Sequence, residues 1–254
     1  MKPVVIRNVA IGEGMPKICV PIVGIKEKEI VETARQIKDT PADLVEWRVD
    51  WFESAFEVDR VKMVLLELRA VLGDMPILFT FRTDKEGGEK SITPEEYREL
   101  LSEVAKTKWA DLIDVEAFCQ GSAVELIAGI KTQGVKVVGS NHEFHHTPDK
   151  AEIIRRLRYM QDIGADIPKI AVMPQTEEDV RTLLEATKEM TETYADRPIV
   201  TMSMGELGVV SRVSGEKFGS SITFGAFGQV SAPGQISVHE LKEILEVLHR
   251  NQKQ

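Results

Sequence analysis

Cysteine is scarce in this chain of 254 residues, which contains only Cys19 and Cys119. Two cysteines cannot form the disulfide framework of a small secreted domain, and neither belongs to a Cys-x-x-Cys pair. We therefore expect both to be reduced, buried and apolar in character, in a reducing compartment.

Long apolar runs and an excess of positive charge are also lacking. No run approaches the roughly 18 apolar residues of a membrane-spanning helix, and the segment MKPVVIRNVAIGEG lacks the apolar core and cleavage site of a signal peptide. The formal net charge is -9. A cytoplasmic protein without a membrane or nucleic-acid partner is expected, because both partners favour basic surfaces.

Short apolar runs alternate along the chain with longer amphipathic segments. The runs are rich in branched residues, which is typical of buried parallel strands. Eight such strands are predicted, at residues 17–24, 44–50, 76–82, 110–118, 135–144, 167–174, 198–205 and 221–227.

Helix start signals follow several of these runs. Thr followed by Pro or Glu is a favourable N-cap, so helices are predicted directly after Thr93, Thr147 and Thr176. A last helix is predicted over residues 237–252, with one apolar face formed by Leu241, Ile244, Leu245 and Leu248. The connection between the seventh and eighth strands is rich in Gly and Ser and is the least helical.

Eight strand–helix units in about 250 residues favour an α/β fold, a single (β/α)8 TIM barrel over residues 1–254. A doubly wound open sheet is the structural alternative. The segment VVIRNVAIGEG alternates like a strand pair, and we expect a hairpin that closes the bottom of the barrel.

Polar side chains share one face of several predicted strands, where apolar residues occupy the other. The outer face of a barrel strand packs on helices, so the polar face must point inward. Most of these residues lie toward the C-terminal ends of their strands, where barrel enzymes build their sites. For any one of the charged residues Glu46, Arg48, Asp50, Asp114 and Glu116, a structural ion pair is an equally good interpretation. The set comprises Glu46, Arg48, Asp50, Thr80, Arg82, Asp114, Glu116, Ser140 and His142.

Lys169 stands near the start of the apolar strand IPKIAVMP, although lysine is almost never buried without a partner. A neutral lysine amine attacks a carbonyl, and the protonated imine then acidifies the adjacent C–H. A histidine can move that proton, with a carboxylate such as Glu86 or Glu46 fixing its tautomer. Aldol cleavage, β-elimination of water and decarboxylation are all open to this pair.

Three of the five histidines lie in the segment HEFHH, at His142, His145 and His146. A metal site is one interpretation of this cluster. The HExxH helix is missing, however, and the last two histidines precede a Thr–Pro turn, so no metal is predicted.

The chain resembles the type I 3-dehydroquinate dehydratase family over essentially its whole length. The resemblance is carried by EWRVD at 46–50, FTFR and EGGE within 79–89, SNHEF at 140–144, PKIAVMPQ at 168–175, TMSMGELGVVSR at 201–212 and SAPGQIS at 231–237. It implies a homodimeric barrel of the shikimate pathway that dehydrates 3-dehydroquinate to 3-dehydroshikimate by syn elimination, without metal or added cofactor.

The resemblance also implies roles for individual residues. Lys169 matches the lysine that forms the imine, His142 the general acid and base, and Glu86 the carboxylate that holds this histidine. Further residues match substrate-binding positions: Glu46 and Arg48 toward the hydroxyls, Arg82 at the mouth, Arg212 on the carboxylate, Ser231 and Gln235 on the loop after the eighth strand, and Met202 and Met204 beside the imine.

Two alternative functions remain open from the sequence. A class I aldolase would use the same barrel and imine, and the glycine-rich loops could bind a sugar phosphate. A non-catalytic ligand-sensing barrel would keep the pocket but lose Lys169 or His142, and both are present.

Overall fold

The computed structural model describes residues 2–118, 123–228, 232 and 234–252. Cys119 and Ser231 lie outside the described residues. A two-stranded antiparallel hairpin, β1 (Val4–Ile6) and β2 (Val9–Ile11), precedes the main sheet.

Eight parallel strands then follow one another around a barrel. They are β3 (Lys17–Ile22), β4 (Leu44–Arg48), β5 (Ile77–Thr80), β6 (Leu112–Glu116), β7 (Lys136–Glu143), β8 (Ile167–Val172), β9 (Val200–Ser203) and β10 (Ile222–Ala226). From β3 to β9 each strand pairs with the next in chain order, and β10 pairs with β3. A parallel bridge between Ile199 and Ser220 joins the remaining two edges. The predicted (β/α)8 barrel is confirmed, and a short strand, β11 (Ile236–Ser237), pairs in parallel with the end of β10.

Helices cover the outside of the barrel. They are α1 (Glu27–Ile37), α2 (Val58–Leu72), α3 (Pro94–Thr107), α4 (Ala123–Thr132), α5 (Lys150–Asp162), α6 (Glu177–Glu189), α7 (Val209–Val213), α8 (Gly215–Phe218) and α9 (Val238–Gln252). The connection between β9 and β10 contains only the short α7 and α8, as its Gly and Ser content predicts. Within the described residues, no helix is both long and apolar enough to cross a membrane.

Two of the three predicted helix starts are confirmed. Thr93 and Thr176 are N-caps with capping boxes, in which each hydroxyl accepts the backbone N–H three residues on. The predicted start after Thr147 is wrong. Asp149 caps α5 by accepting the N–H of Glu152 at 2.8 Å, while the Thr147 hydroxyl donates to the Met173 carbonyl at 3.1 Å.

The apolar face of α9 is narrower than predicted. Leu241 and Leu245 are buried, but Ile244 and Leu248 are 38% and 36% exposed. Packing of α9 against the barrel therefore rests on fewer side chains than the helical spacing indicated.

The barrel has an apolar floor below its charged interior. Inward residues at the N-terminal ends of the strands, among them Leu44, Leu78 and Leu112, form one apolar cluster with Ile6 and Ile11 of the hairpin. The hairpin thus closes the bottom of the barrel, as predicted. Arg7 at its turn pairs with Asp111 at 2.7 Å, which holds the hairpin to the barrel.

Candidate active site

All the predicted site residues that the structure describes line one cavity at the C-terminal end of the barrel. They come from six places in the fold: β4, the turn after β5, β7, β8, the end of β9 with α7, and the segment after β10. These residues are Glu46, Arg48, Arg82, Glu86, His142, Lys169, Met202, Met204, Arg212 and Gln235. Ser231, the remaining predicted residue, lies outside the described residues.

Lys169 lies inside the barrel and is only 4% exposed. Its Nζ is 3.9 Å from Oε1 of Glu46 and 4.5 Å from the centre of the Phe224 ring. The Glu46 oxygen also accepts the Thr80 hydroxyl at 2.9 Å. The amine therefore has a carboxylate partner on one side and an aromatic face on another, which accounts for a lysine at this depth.

The strand register places Lys169 below His142. Lys169 on β8 lies opposite Ser140 on β7. Ser140 precedes His142 by two residues. Side chains two residues apart on a strand point to the same face, so Ser140 and His142 both point into the barrel, where Lys169 also lies. The early position of the lysine, noted from the sequence, leaves its four-carbon stem to rise toward the cavity.

His142 is held by Glu86 through two contacts. Oε2 of Glu86 accepts the backbone N–H of His142 at 2.9 Å and lies 2.9 Å from Nδ1 of the ring. Burial lowers the pKa of His142 well below its ordinary value, and the nearby cations Arg82, Lys169 and Arg48 add to this shift. The Glu86 charge is offset by Arg82 at 3.5 Å. A neutral ring that donates Nδ1–H to Glu86 leaves Nε2 free to accept a proton.

Glu86 lies on a short turn after β5, residues Asp84–Glu86, rather than on a strand. Gly87 ends the turn at φ 81°, a conformation that favours glycine. A Cβ at Gly87 would lie 2.3 Å from the Phe144 ring. Phe144 in turn stacks against His142, with ring centroids 6.5 Å apart and an interplanar angle of 23°. Glycine therefore allows the close contact that brings the Glu86 turn and the His142 ring together.

Arg48 and Arg82 differ in how they are held. Arg48 forms a bidentate ion pair with Asp50, with N–O distances of 2.8 and 2.7 Å. Arg82 is 3% exposed and contacts the carboxylates of Asp114 at 2.9 Å and Glu116 at 3.1 Å. The family resemblance implies that Arg82 binds substrate at the mouth. Arg82 lines the cavity, and its carboxylate partners hold the guanidinium inside the barrel.

Arg212 supplies a further buried cation from α7. It is 2% exposed, and burial lowers its pKa to about 10. The guanidinium therefore stays charged at neutral pH. Its backbone carbonyl accepts the Thr223 hydroxyl at 2.7 Å, which ties the short helix to β10.

The three histidines of HEFHH do not converge on one point. His142 points into the barrel, whereas His145 and His146 are exposed, and His146 pairs with Glu143 at 3.4 Å. Among the described residues, no three His, Cys, Asp or Glu side chains form a group that could hold a metal ion.

Several residues that line the cavity were not singled out from the sequence. They are Gly87, Phe144, Ala171, Phe224 and Ala232. Strand alternation could have identified Ala171, two residues after Lys169, and Phe224, in the middle of the inward face of β10. Strand alternation could not identify Gly87 and Phe144, because their roles arise from contact between two loops.

The chain is similar to one family of known proteins over nearly its whole length. The family model described as type I 3-dehydroquinase matches residues 18–252. The 3-dehydroquinate dehydratase of Clostridioides difficile (strain 630) is 53% identical over 251 residues, which cover 98% of this chain and 98% of the relative. That of Bacillus licheniformis is 51% identical over 251 residues, covering 98% and 99%.

Two solved structures that are similar to this chain over nearly its whole length are named 3-dehydroquinate dehydratases. A crystal structure of the type I 3-dehydroquinate dehydratase from Clostridium difficile with covalently modified comenic acid has a TM-score of 0.94, at 53% identity, covering 99% of this chain and 100% of that one. The 3-dehydroquinate dehydratase structure from Geobacillus kaustophilus HTA426 has a TM-score of 0.95, at 36% identity, covering 98% and 97%. The chain therefore belongs to the type I 3-dehydroquinase family.

Proposed function

We propose that this protein dehydrates 3-dehydroquinate to 3-dehydroshikimate through an imine on Lys169. The observation that carries the proposal is the meeting, in one buried cavity, of the Lys169 amine, the His142–Glu86 pair and the Arg212 guanidinium. The relatives are named 3-dehydroquinate dehydratase, which supports the same substrate.

In the first stage, the neutral Lys169 amine attacks the C3 ketone of the substrate. The resulting carbinolamine loses water, and a protonated imine forms between Nζ and C3. Glu46, 3.9 Å from Nζ, is placed to stabilise the positive charge of this imine.

In the second stage, Nε2 of His142 removes a proton from C2. The electron pair of that bond moves toward the imine and gives an enamine. When the pair returns, the C1–O bond breaks, and the hydroxyl leaves as water with the proton that His142 returns. Hydrolysis of the remaining imine releases the product and restores the amine.

The other predicted residues bind and orient the substrate. Arg212 has the planar guanidinium that suits a carboxylate, while Glu46 and Arg48 suit hydroxyl groups. Met202 and Met204 form an apolar wall, and Gln235 lines the cavity with them. The substrate-binding role of Ser231 is proposed from the family resemblance alone.

The test is dehydration of 3-dehydroquinate, followed by the ultraviolet absorbance of the conjugated product. Wild type should convert the substrate, and Lys169→Met should not. Lys136→Met is the matched control, because Lys136 is a strand lysine at the opposite end of the barrel and pairs with Asp166 at 3.3 Å. A chain that binds 3-dehydroquinate without converting it would favour the ligand-sensing alternative. Cleavage of a carbon–carbon bond in a sugar phosphate would favour the aldolase.

We also propose that residues 1–254 form one domain, and that the protein acts as a cytoplasmic homodimer without metal or added cofactor. A single family model matches residues 18–252, which supports a single domain. Light scattering after size-exclusion chromatography should give twice the mass of the chain, and EDTA treatment should leave the dehydration rate unchanged. A monomer, or loss of activity in EDTA that zinc or magnesium restores, would contradict this part of the proposal.

A further inference from the structure

Asn141 contacts the carboxylate that holds His142. It precedes His142 on β7 and is 7% exposed. Its Nδ2 donates to Oε1 of Glu86 at 3.2 Å, whereas the His142 backbone and ring contact Oε2. Both oxygens of Glu86 are therefore bound by two consecutive residues of one strand.

Arg156 on α5 fixes the orientation of the Asn141 amide. Nη1 of Arg156 donates to Oδ1 of Asn141 at 2.9 Å, so Oδ1 is occupied and Nδ2 must face Glu86. Arg156 is in turn held by Glu152 at 2.7 Å and lies 3.6 Å from Glu143. A continuous series of polar contacts thus joins the half-buried surface of α5 to the His142 ring.

The need for such a support follows from where Glu86 lies. His142 is fixed in a strand, but Glu86 belongs to a three-residue turn of another strand's loop. A loop side chain keeps a catalytic geometry only when neighbouring groups limit its rotamers. Asn141 supplies such a contact from the strand that carries the histidine.

We propose that Asn141, oriented by Arg156, is a positioning residue that holds Glu86 in contact with Nδ1 of His142. This inference rests on the proposed dehydration for its kinetic consequences. Neither residue lines the cavity, so both act through Glu86. Their removal should impair proton transfer while leaving substrate binding and imine formation largely intact.

The kinetic test compares Asn141→Ala and Arg156→Ala with Arg155→Ala. Arg155 is the matched control, because it also pairs with Glu152, at 2.6 and 2.8 Å, but forms no described hydrogen bond to Asn141. Misplacement of a catalytic group by about 1 Å can cost about 100-fold in rate. We expect Asn141→Ala to lower kcat by about 10- to 100-fold and to change KM by less than about threefold. The imine on Lys169 should still form in this variant, so that borohydride reduction still traps it. Arg156→Ala should show a smaller loss in kcat, Arg156→Lys should recover part of it, and Arg155→Ala should match wild type.

A second readout does not depend on turnover. The nitrogen resonances of His142 report its tautomer and titration, which are set by Glu86 together with Arg82, Lys169 and Arg48 around the ring. We expect Asn141→Ala to change the tautomer balance or the titration midpoint of His142, and Arg155→Ala to leave both unchanged.

The two proposals fail in different ways. If wild type dehydrates 3-dehydroquinate but Asn141→Ala and Arg156→Ala keep wild-type kcat and wild-type His142 resonances, the positioning role is wrong. If wild type does not dehydrate the substrate, yet the His142 resonances change in Asn141→Ala, the positioning role stands and the proposed function is wrong. Should Asn141→Ala fail to fold, the Arg156→Ala and Arg156→Lys pair gives the same comparison from α5.

Discussion

The residues inside the barrel divide into those that face the cavity and those that hold them in place. Glu46, His142 and Lys169 belong to the first group. Asp114 and Glu116 belong to the second, because their carboxylates contact Arg82 and do not reach the cavity. Arg82 then contacts Glu86 at 3.5 Å, so these buried acids act on the site through one guanidinium. Their negative charges offset the cost of burying that cation.

The pH dependence of activity should report the state of His142. Burial and the cations around the ring lower its pKa, so the neutral base persists as pH falls through the ordinary histidine value of about 6.5. Activity should be lost only when pH falls through the lowered pKa. In a profile of kcat/KM, which reports the free enzyme, the acid limb assigned to His142 should lie well below 6.5. An acid limb at or above 6.5 that follows the His142 resonances would contradict this account.

Gly87 offers a test of the contact between the Glu86 turn and Phe144. Gly87→Ala should lose activity, because its Cβ would collide with the Phe144 ring 2.3 Å away and displace Glu86. Gly134→Ala is the control. Gly134 has a similar φ of 83° but open space around it, so that variant should lose only about 1 to 2 kcal/mol of stability and no activity. Equal dehydration rates in both variants would show that the collision does not matter to the site.

Strand alternation predicted Glu46, Arg48 and His142 as inward residues, since two-residue periodicity determines the face of a strand. Lys169 was singled out instead because a lysine is unusual in an apolar strand. Alternation could not place Glu86, because it lies on a turn. Glu86 entered the prediction as one of two candidate carboxylates, and the family resemblance then favoured it over Glu46. Alternation also could not find the Asn141 contact. Asn141 has the outward parity of its strand, and its role depends on a loop and a helix distant in sequence.

At the scale of secondary structure, the predicted strands ran past their observed ends. The run 44–50 was predicted as one strand, but β4 ends at Arg48 and Val49–Trp51 form a helical turn. That turn brings Asp50 back onto the Arg48 guanidinium. Apolar composition continues through such turns because they are buried too, so hydrophobicity alone does not mark the end of pairing.

The start of α5 can be tested directly. Asp149→Ala should lower the free energy of unfolding by about 1 kcal/mol, because the N–H of Glu152 loses its cap. Asp149→Asn should restore most of that loss, since Asn caps about as well as Asp. Urea unfolding curves measure both. If Asp149→Ala is as stable as wild type, Asp149 does not act as the cap.

In the whole molecule, the candidate active site and the hairpin that closes the barrel lie at opposite ends of the barrel. The hairpin and its apolar cluster are at the N-terminal ends of the strands, and the cavity is at the C-terminal ends. Changes at the floor should therefore alter stability without altering the site, which is the usual division in this architecture.

Ile11 tests this separation. It is fully buried, so Ile11→Ala should lower the free energy of unfolding by about 2 to 5 kcal/mol while KM stays at the wild-type value. Val5 on the same hairpin is 61% exposed, so Val5→Ala should change stability by less than about 0.5 kcal/mol. A large effect of Val5→Ala, or a stable Ile11→Ala protein, would contradict closure of the barrel by the hairpin.

We propose that Lys169 carries the substrate as an imine while His142 moves the proton. The most direct measurement is borohydride reduction in the presence of 3-dehydroquinate, followed by mass mapping of the modified peptide in wild type and in His142→Ala. We expect an adduct on Lys169 in both proteins, with turnover reduced by about 10²- to 10⁴-fold in His142→Ala. An adduct on another lysine, or full turnover in His142→Ala, would contradict it.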